Sequence, residues 1–320
     1  MNHRVVPVRL NRSLAVFVAV LLLHAQAGCG NQDYERPIRQ FQEASAVVIA
    51  AARQSLQQMN DVEEKAELNR QIFEAEPFDE NKIKARDVIS DDELNVRVNA
   101  LDQLARYTSA LADLAALNAS GEVTQKFQNV SSAFTSLSAD AARIGGKSST
   151  VFDNPKFSGL VQVATLGIGA VVRAIEEHRA RREIEKEIRD HDADVTALIR
   201  LIGDELGNAY QRRKQADSLE RVFLTNSLKI ELAKAERGDP VLRILLGDRL
   251  SDWLNRQPAI ASADPKPAVE AMRKAHEALV AYVGSDKSPK NLSQLIAAAD
   301  SFFSEVQPLA RAIAVLLHNS

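Results

Sequence analysis

An amphipathic stripe about ten helical turns long is the feature that most limits how this chain can fold. Mostly small or apolar side chains recur at steps of three and four residues: Phe41, Ala44, Val48, Ala51, Ser55, Met59, Val62, Ala66, Asn69 and Phe73. This spacing places them on one face of an α-helix, whereas a half-buried strand alternates every second residue. Glu76-Pro77 predicts the end of the helix, because the residue before a proline is disfavoured in the helical conformation.

Two further stripes follow along the chain. Ser90 and Glu93 have the spacing of a capping box, which predicts the start of a second helix. Its stripe consists of Leu94, Val98, Leu101, Ala105, Thr108, Leu111 and Ala115. The third stripe alternates steps of four and three and predicts a heptad seam: Val123, Phe127, Val130, Phe134, Leu137, Ala141 and Ile144. Because only the turn 118–121 separates these two helices, they are expected to pack antiparallel.

The C-terminal half is predicted to be helical as well. After residues 145–155, a long helical region is expected to extend to about Arg237, with bends at Gly203 and Gly207. Gly238-Asp239-Pro240 then ends one helix and begins the next, since glycine suits a helix end, aspartate caps and proline suits the first helical position. Further helices are expected at about 240–256, 266–283 and 289–318, the last with a kink at Pro308.

The predicted fold class is therefore all-α, an elongated bundle of about seven or eight long antiparallel amphipathic helices. No alternating strand of useful length is present, and 5% aromatic residues with only 13 glycines are low for a turn-rich β protein. Residues 145–155 are expected to link an N-terminal helical segment, 38–144, to a C-terminal one, 156–320. The alternative is one continuous bundle.

The first residues are typical of a signal peptide. Arg4, Arg9 and Arg12 occur without any acidic residue, and an unbroken apolar run follows from Leu14 to Leu23. Ten apolar residues span about 15 Å as a helix, half of a hydrocarbon core of roughly 30 Å, which disfavours a membrane-spanning helix. Residues 1–28 are therefore predicted to be a signal peptide that is removed.

Ala27-Gly28-Cys29 resembles the end of a bacterial lipobox, in which small residues precede a cysteine that receives diacylglycerol before cleavage. The resemblance covers residues 1–29 and implies the bacterial lipoprotein class, a lipid on Cys29, a tether over 29–37 and a cell-envelope location facing the periplasm. Gly30 in place of aspartate resembles lipoproteins sent on to the outer membrane. Cys29 is the only cysteine, and an unpaired thiol is disfavoured in an oxidising compartment.

Two other outcomes at this site remain open. Ala25-Gln26-Ala27 is also an A-x-A site for ordinary signal peptidase, and cleavage there would leave a soluble periplasmic protein. Gln26 stands where the lipobox most often has leucine. The third possibility is an uncleaved anchor.

The charge balance argues against nucleic acid as a partner. Removal of residues 1–28 takes away three arginines and no acid, which leaves 37 basic and 43 acidic residues and a net charge of −6. The basic residues between 179 and 186 are interleaved with glutamates, which predicts a solvated helix face. The expected partners are the membrane, through the lipid, and an envelope protein.

Catalytic and cofactor motifs are not supported. The segment Ala141–Ser148 satisfies a relaxed Walker A pattern, but a heptad helix precedes it where a nucleotide-binding loop needs a strand, so no nucleotide site is predicted. No Gly-x-Ser-x-Gly occurs. His276 lies beside the apolar stripe of Ala268 and Met272, which predicts a partly buried structural histidine. We expect no enzymatic activity and no cofactor.

Glu183, Glu187 and His191 are the nearest approach to a metal site. They lie at i, i+4 and i+8 on one helix face and could supply a cation site. Nearly every neighbour is charged, however, and a solvated, ion-paired face accounts for the same residues. No metal site is therefore predicted, and these three remain weak candidates.

The segment 157–175 has two interpretations. Gly159, Gly167 and Gly169 give it close-packing surfaces of the kind found in membrane helices, while Gln162 and Arg173 interrupt its apolar character. A helix buried at the centre of the bundle is favoured over a membrane-active hairpin. The first functional hypothesis is thus a non-enzymatic, lipid-anchored scaffold or protein-interaction module; the alternatives are a membrane-inserting protein and a metal-binding protein.

Overall fold

The fold is all-α. The computed structural model describes residues 35–74, 77–85, 88–116, 166–171, 174 and 181–318, except the side chains of 114, 116, 181–184, 317 and 318. No strand occurs in these ranges. Their helices are α1 (Glu35–Gln57), α2 (Met59–Glu74), α3 (Glu80–Lys84), α4 (Asp91–Ala116), α5 (Arg181–Asp190), α6 (Asp192–Ala233), α7 (Pro240–Ser262), α8 (Lys266–Val283) and α9 (Pro289–His318). Residues 166–171 are also helical.

The long first stripe forms two helices rather than one. α1 begins at Glu35, so the last three residues of the predicted tether are helical, and α2 follows after a turn at Gln58. The main-chain bonds from Gln58 to Gln54 (3.0 Å) and from Val62 to Gln58 (3.1 Å) continue across this point. The stripe thus predicted the helical path but not the irregularity within it.

The burial predicted for the end of the stripe is wrong. Phe73 is 49% exposed, while Glu67 and Gln71 are buried. Glu67 accepts hydrogen bonds from Arg70 and Gln71, and Gln71 exchanges bonds with the main chain of Asp79. Glu67 is thus bonded within its own helix and Gln71 also to the loop that follows, which apolar periodicity does not reveal. The same loop contains α3, a short helix that the sequence did not predict.

A single large core joins residues from both sides of the predicted linker. α1 packs against α4 and α9, and α8 packs against α9 and α6. Phe41, Leu104 and Tyr107 from the N-terminal side are at most 2% exposed and share the core with Leu198 and Phe302 from the C-terminal side. The linker 145–155 and the third stripe lie outside the described residues, so the division into two segments stays a prediction.

The capping box predicted the start of α4 correctly. The amide of Ser90 donates to Glu93 Oε2 (3.0 Å), and the amide of Glu93 donates to Ser90 Oγ (3.4 Å). α8 and α9 have the predicted bounds, and α7 continues six residues beyond the predicted end, through Pro258.

The long helical region divides at a position that the sequence did not indicate. The break falls at His191, whereas α6 runs through both Gly203 and Gly207 without interruption. A Cβ on Gly203 would lie 2.7 Å from Val269 Cγ1, so this glycine allows α6 and α8 to approach closely. With the additional break at Gln58 and the short α3, the described residues contain nine helices, α1 to α9, besides the helical residues 166–171, where about seven or eight were expected for the chain.

Candidate functional site

The turn between α6 and α7 is built by the predicted Gly238-Asp239-Pro240 sequence. Asp239 caps α7, because its Oδ1 accepts hydrogen bonds from the amides of Val241 (2.8 Å) and Leu242 (3.4 Å). Pro240 occupies the first helical position, where its missing N–H costs nothing. A Cβ on Gly238 would lie 2.7 Å from the carbonyl oxygen of Glu231, so the turn leaves no room for a side chain there.

Glu231 ties the end of α6 to this turn. Its carboxylate accepts hydrogen bonds from Lys234 Nζ (2.6 Å) and from the amide of Asp239. These two donors, with Lys234 the stronger, hold the pKa of the Glu231 carboxyl below its usual value. The turn is therefore a defined structure, and the residues that flank it are held in fixed positions.

The two helices pair antiparallel over a small core of their own. Leu224, Leu246 and Trp253 are buried against each other, and this cluster is separate from the main core. Trp253 Nε1 donates to the carbonyl oxygen of Asp217 (3.0 Å), and Gln257 Nε2 donates to the carboxylate of the same residue (2.7 Å). The hairpin of α6 and α7 thus has both apolar and polar contacts that fix its pairing.

Exposed apolar side chains lie on both sides of the turn of the hairpin. We call the following six residues the apolar tip, with exposed fractions of 60, 55, 71, 38, 65 and 52%: Ile230, Leu232, Val241, Leu242, Ile244 and Leu245. On α7, helical spacing puts Val241, Ile244 and Leu245 on the face opposite Leu246 and Trp253. Farther along α7 the same outer face becomes polar, with exposed Asp248, Ser251 and Asp252.

A second set of exposed apolar residues lies at the end of α2. Ile72, Phe73 and Phe78 are 55, 49 and 70% exposed. The Phe73 ring makes an edge contact with Phe223 of α6, at 6.5 Å between centroids. This contact places the end of α2 against the hairpin. Clusters of exposed large apolar side chains often mark surfaces that bind other molecules, whereas isolated ones carry no such meaning.

The weak metal candidates are only partly brought together. His191 Nε2 lies 3.5 Å from Glu187 Oε2, and His191 Nδ1 lies 3.0 Å from Asp194 Oδ2; the Glu183 side chain is outside the described residues. A Cβ on Gly167 would lie 2.6 Å from Asp194 Oδ2, so the 166–171 helix fits closely over this group. Among the residues that the structure describes, no group of three or more potential ligands could hold a metal ion.

His276 lies at the centre of a buried polar cluster. Its side chain is 0% exposed, and Tyr107 Oη lies 2.9 Å from Nε2. Asp192 Oδ1 lies 3.3 Å from Nδ1, but the geometry there does not form a hydrogen bond. The His276 ring is the main cause of a lowered pKa at Asp192, against a smaller opposing effect of burial. Phe41 covers the ring at 6.4 Å between centroids. The structural role predicted for His276 agrees with this burial, which is complete rather than partial.

An ion pair between α4 and α6 was missed by sequence reasoning. Arg97 Nε donates to Glu205 Oε2 at 2.9 Å, and the two side chains are 4% and 7% exposed. Burial raises the pKa of the Glu205 carboxyl, and the opposing attraction of Arg97 does not fully offset it. Arg97 stands between Val96 and Val98, whereas Glu205 follows Asp204, so the local sequence around Glu205 gave no sign of the pair.

The other predicted sites fall at the edge of the described residues or beyond it. Cys29 lies outside them. Within 157–175, Ile168, Val171 and Ala174 are fully buried, whereas Leu166 is 66% exposed. Across the described ranges, no helix combines the length and the apolar character needed to cross a membrane.

Comparisons with protein-family models, with curated proteins and with solved structures found no match to this chain.

Proposed function

We propose that this protein is a non-enzymatic, lipid-anchored module of the bacterial cell envelope that binds a protein partner through the apolar tip. The anchor rests on the lipobox-like sequence ending at Cys29. The binding role rests on the exposed apolar side chains around the turn of the hairpin. No cofactor is part of this function.

The apolar tip is the observation that carries the proposal. Six large aliphatic side chains are exposed to water between residues 230 and 245, whereas the outer face of α7 beyond the tip is polar. Exposed groups of large apolar side chains rimmed by polar residues often mark surfaces that bind proteins, and the charged residues Lys234, Glu236 and Arg237 between the two parts of the tip are also exposed. The capped turn and the small inner core hold the tip in place, so little ordering is needed when a partner binds.

Site-specific photo-crosslinking in intact cells tests the binding surface. A photoreactive residue replaces Ile244 in one variant and Leu254 in the control; both positions lie on α7 and are similarly exposed, at 65% and 58%. The proposal predicts a discrete protein adduct from position 244 that disappears when Val241→Asp is added. The same adduct from both positions, or none from 244, would contradict it.

Metabolic labelling tests the anchor. Radioactive palmitate is expected to label the wild-type protein and not Cys29→Ala, and the variant is expected to leave the membrane fraction. An unlabelled wild-type protein would overturn the lipoprotein assignment. Ordinary signal-peptidase cleavage would instead give a soluble, unlabelled protein.

Membrane insertion by residues 157–175 is the second candidate, favoured only by the exposure of Leu166. It requires Ile168, Val171 and Ala174 to leave the main core, where all three are 0% exposed. Dye release from liposomes by the wild-type protein, abolished by Leu166→Asp, would support this function. Because Leu166 is exposed, that substitution leaves the fold intact, and an absence of leakage would exclude this function.

A further inference from the structure

A small pocket lies between α1, α2, α6 and α9, near the start of α8. The space open to the centre of a water molecule is about 40 Å³, enough for roughly three waters by volume. One wall is apolar and includes Met59, Leu206, Ile313 and Leu316. Gln58, Tyr210 and Arg213 bring polar groups to the same pocket. Ligand pockets are commonly lined by apolar side chains with a few polar or charged groups that orient the ligand.

The guanidinium of Arg213 has unusually little compensation for its charge. Its hydrogen bond from Nη1 to Gln58 Oε1 (3.2 Å) goes to a neutral amide. Within the described residues, no carboxylate lies at ion-pair distance from it. Burial, followed by the neighbouring charge of Arg256, lowers the pKa of Arg213, and Asp217 only partly opposes this.

Two nearby arginines are ion-paired. Arg212 donates to Glu63 Oε1 at 2.7 Å, and Arg256 lies 3.2 Å from Glu220 Oε2. Arg213 differs from both, although all three side chains are partly buried. A guanidinium carries five N–H donors, so most of its capacity remains for an acceptor in the pocket. A partly desolvated charge is stabilised by a counter-ion at that place.

We propose that this pocket binds a small aliphatic carboxylate, with the carboxylate on Arg213 and the alkyl tail along the apolar wall. A carboxylate matches the planar fork of a guanidinium and carries a single negative charge. A dianionic phosphate group would need further cations, but the next guanidinium, Arg256, is already paired with Glu220. The apolar wall, for its part, stabilises an alkyl chain and not a fully hydrated anion.

Ligand-observed NMR on the full chain, with butanoate as the probe, tests this site. Saturation transfer from the protein to the butanoate methyl group is expected at millimolar concentrations. Arg213→Gln is expected to weaken binding at least tenfold. The matched control is Arg212→Gln, which removes the same charge one residue away and should change the affinity less than twofold.

Two further arms separate carboxylate recognition from purely apolar binding and from general anion binding. Butanamide, a neutral analogue of the same shape, should bind at least tenfold more weakly, and inorganic phosphate should not displace butanoate. Ser55→Leu fills the pocket from α1 without a change in charge and should abolish binding, which keeps the test decisive if Arg213→Gln fails to fold. No transfer to butanoate, equal binding of butanamide, or equal losses in the two arginine variants would overturn the site.

Discussion

The two halves of α6 show how differently one helix can be used. Between residues 192 and 209, nine side chains are buried, including Leu198, Leu201 and Leu206. Between residues 210 and 233, only Leu224 and Glu231 are buried, although the sequence there contains several more large apolar residues. Leu219 and Ile230, for example, are 55% and 60% exposed. The first half builds the main core, and the second half supports a hairpin whose outer side remains in water.

Apolar content and burial are therefore separate properties of a helix. A buried aliphatic side chain contributes about 1.5–3 kcal/mol of hydrophobic stabilisation, which an exposed one does not. The second half of α6 forgoes stabilisation that a more compact arrangement would supply. The proposed binding surface would account for this cost, because the same side chains would be buried in the complex.

The largest expected contrast concerns two ion pairs that α6 makes, one in each half. Arg97→Met leaves Glu205 buried without its partner and is expected to lower the free energy of unfolding by about 3–5 kcal/mol. Arg256→Met breaks the more exposed pair with Glu220, where both side chains are 17–19% exposed, and is expected to cost about 1 kcal/mol or less. Urea unfolding of both variants measures the difference, and equal losses would contradict the division of α6.

Matched leucine truncations give the next contrast. Leu201→Ala removes a side chain that is 2% exposed and is expected to cost about 2–5 kcal/mol, through lost burial and the cavity left behind. Leu219→Ala removes one that is 55% exposed, and the change is expected to stay within about 0.5 kcal/mol. The urea midpoint of each variant, at an unchanged slope, checks the prediction. A large loss in Leu219→Ala would show that the second half of α6 is covered in the folded protein.

Two glutamates of α6 should give pH effects of opposite sign. The pKa of Glu205 is raised in the folded protein, so its contribution is fully present below the pKa of the unfolded chain and is lost as the pH rises through the raised value. The pKa of Glu231 is lowered, so its contribution is present above the unfolded pKa and is lost as the pH falls through the lowered value.

Stability measured against pH for each glutamine variant tests these signs. Glu205 should make the wild-type protein less stable as the pH rises above about 4.3, and Glu205→Gln should not show this decrease. Glu231 should make the wild-type protein less stable as the pH falls below about 4.3, and Glu231→Gln should not show that decrease. Fluorescence of Trp253, the only tryptophan, follows the hairpin, and helical circular dichroism follows the whole chain. If the difference in stability from wild type changes with pH in the same direction for both variants, the opposite pKa shifts of the two carboxyls are contradicted.

Local sequence signals predicted the helices well where capping chemistry marks their ends. The Ser90–Glu93 box and the Asp239-Pro240 start of α7 have local causes, and the structure agrees with them. The breaks at Gln58 and His191 carry no glycine or proline to indicate them. They could not be predicted from local propensity.

Burial was harder to predict because it depends on which elements meet. Periodicity placed Phe73 on the buried face of α2, whereas it is exposed, and it did not indicate that Glu67 and Gln71 are buried. The Arg97–Glu205 pair and the Arg213 pocket join residues more than a hundred positions apart in the chain. Exposure of the apolar tip is likewise a property of the assembled fold, since amphipathic spacing alone cannot tell a covered face from an open one.

The free energy of unfolding of Ile244→Asp, measured by urea denaturation beside the wild-type protein, tests most directly whether the apolar tip is an open binding surface. The side chain is 65% exposed, so we expect a change within about 0.5 kcal/mol, together with the loss of the partner adduct. A loss of about 2 kcal/mol or more would place a charge in a buried site. That result would mean that Ile244 belongs to a covered core, and it would contradict an exposed binding surface on the hairpin.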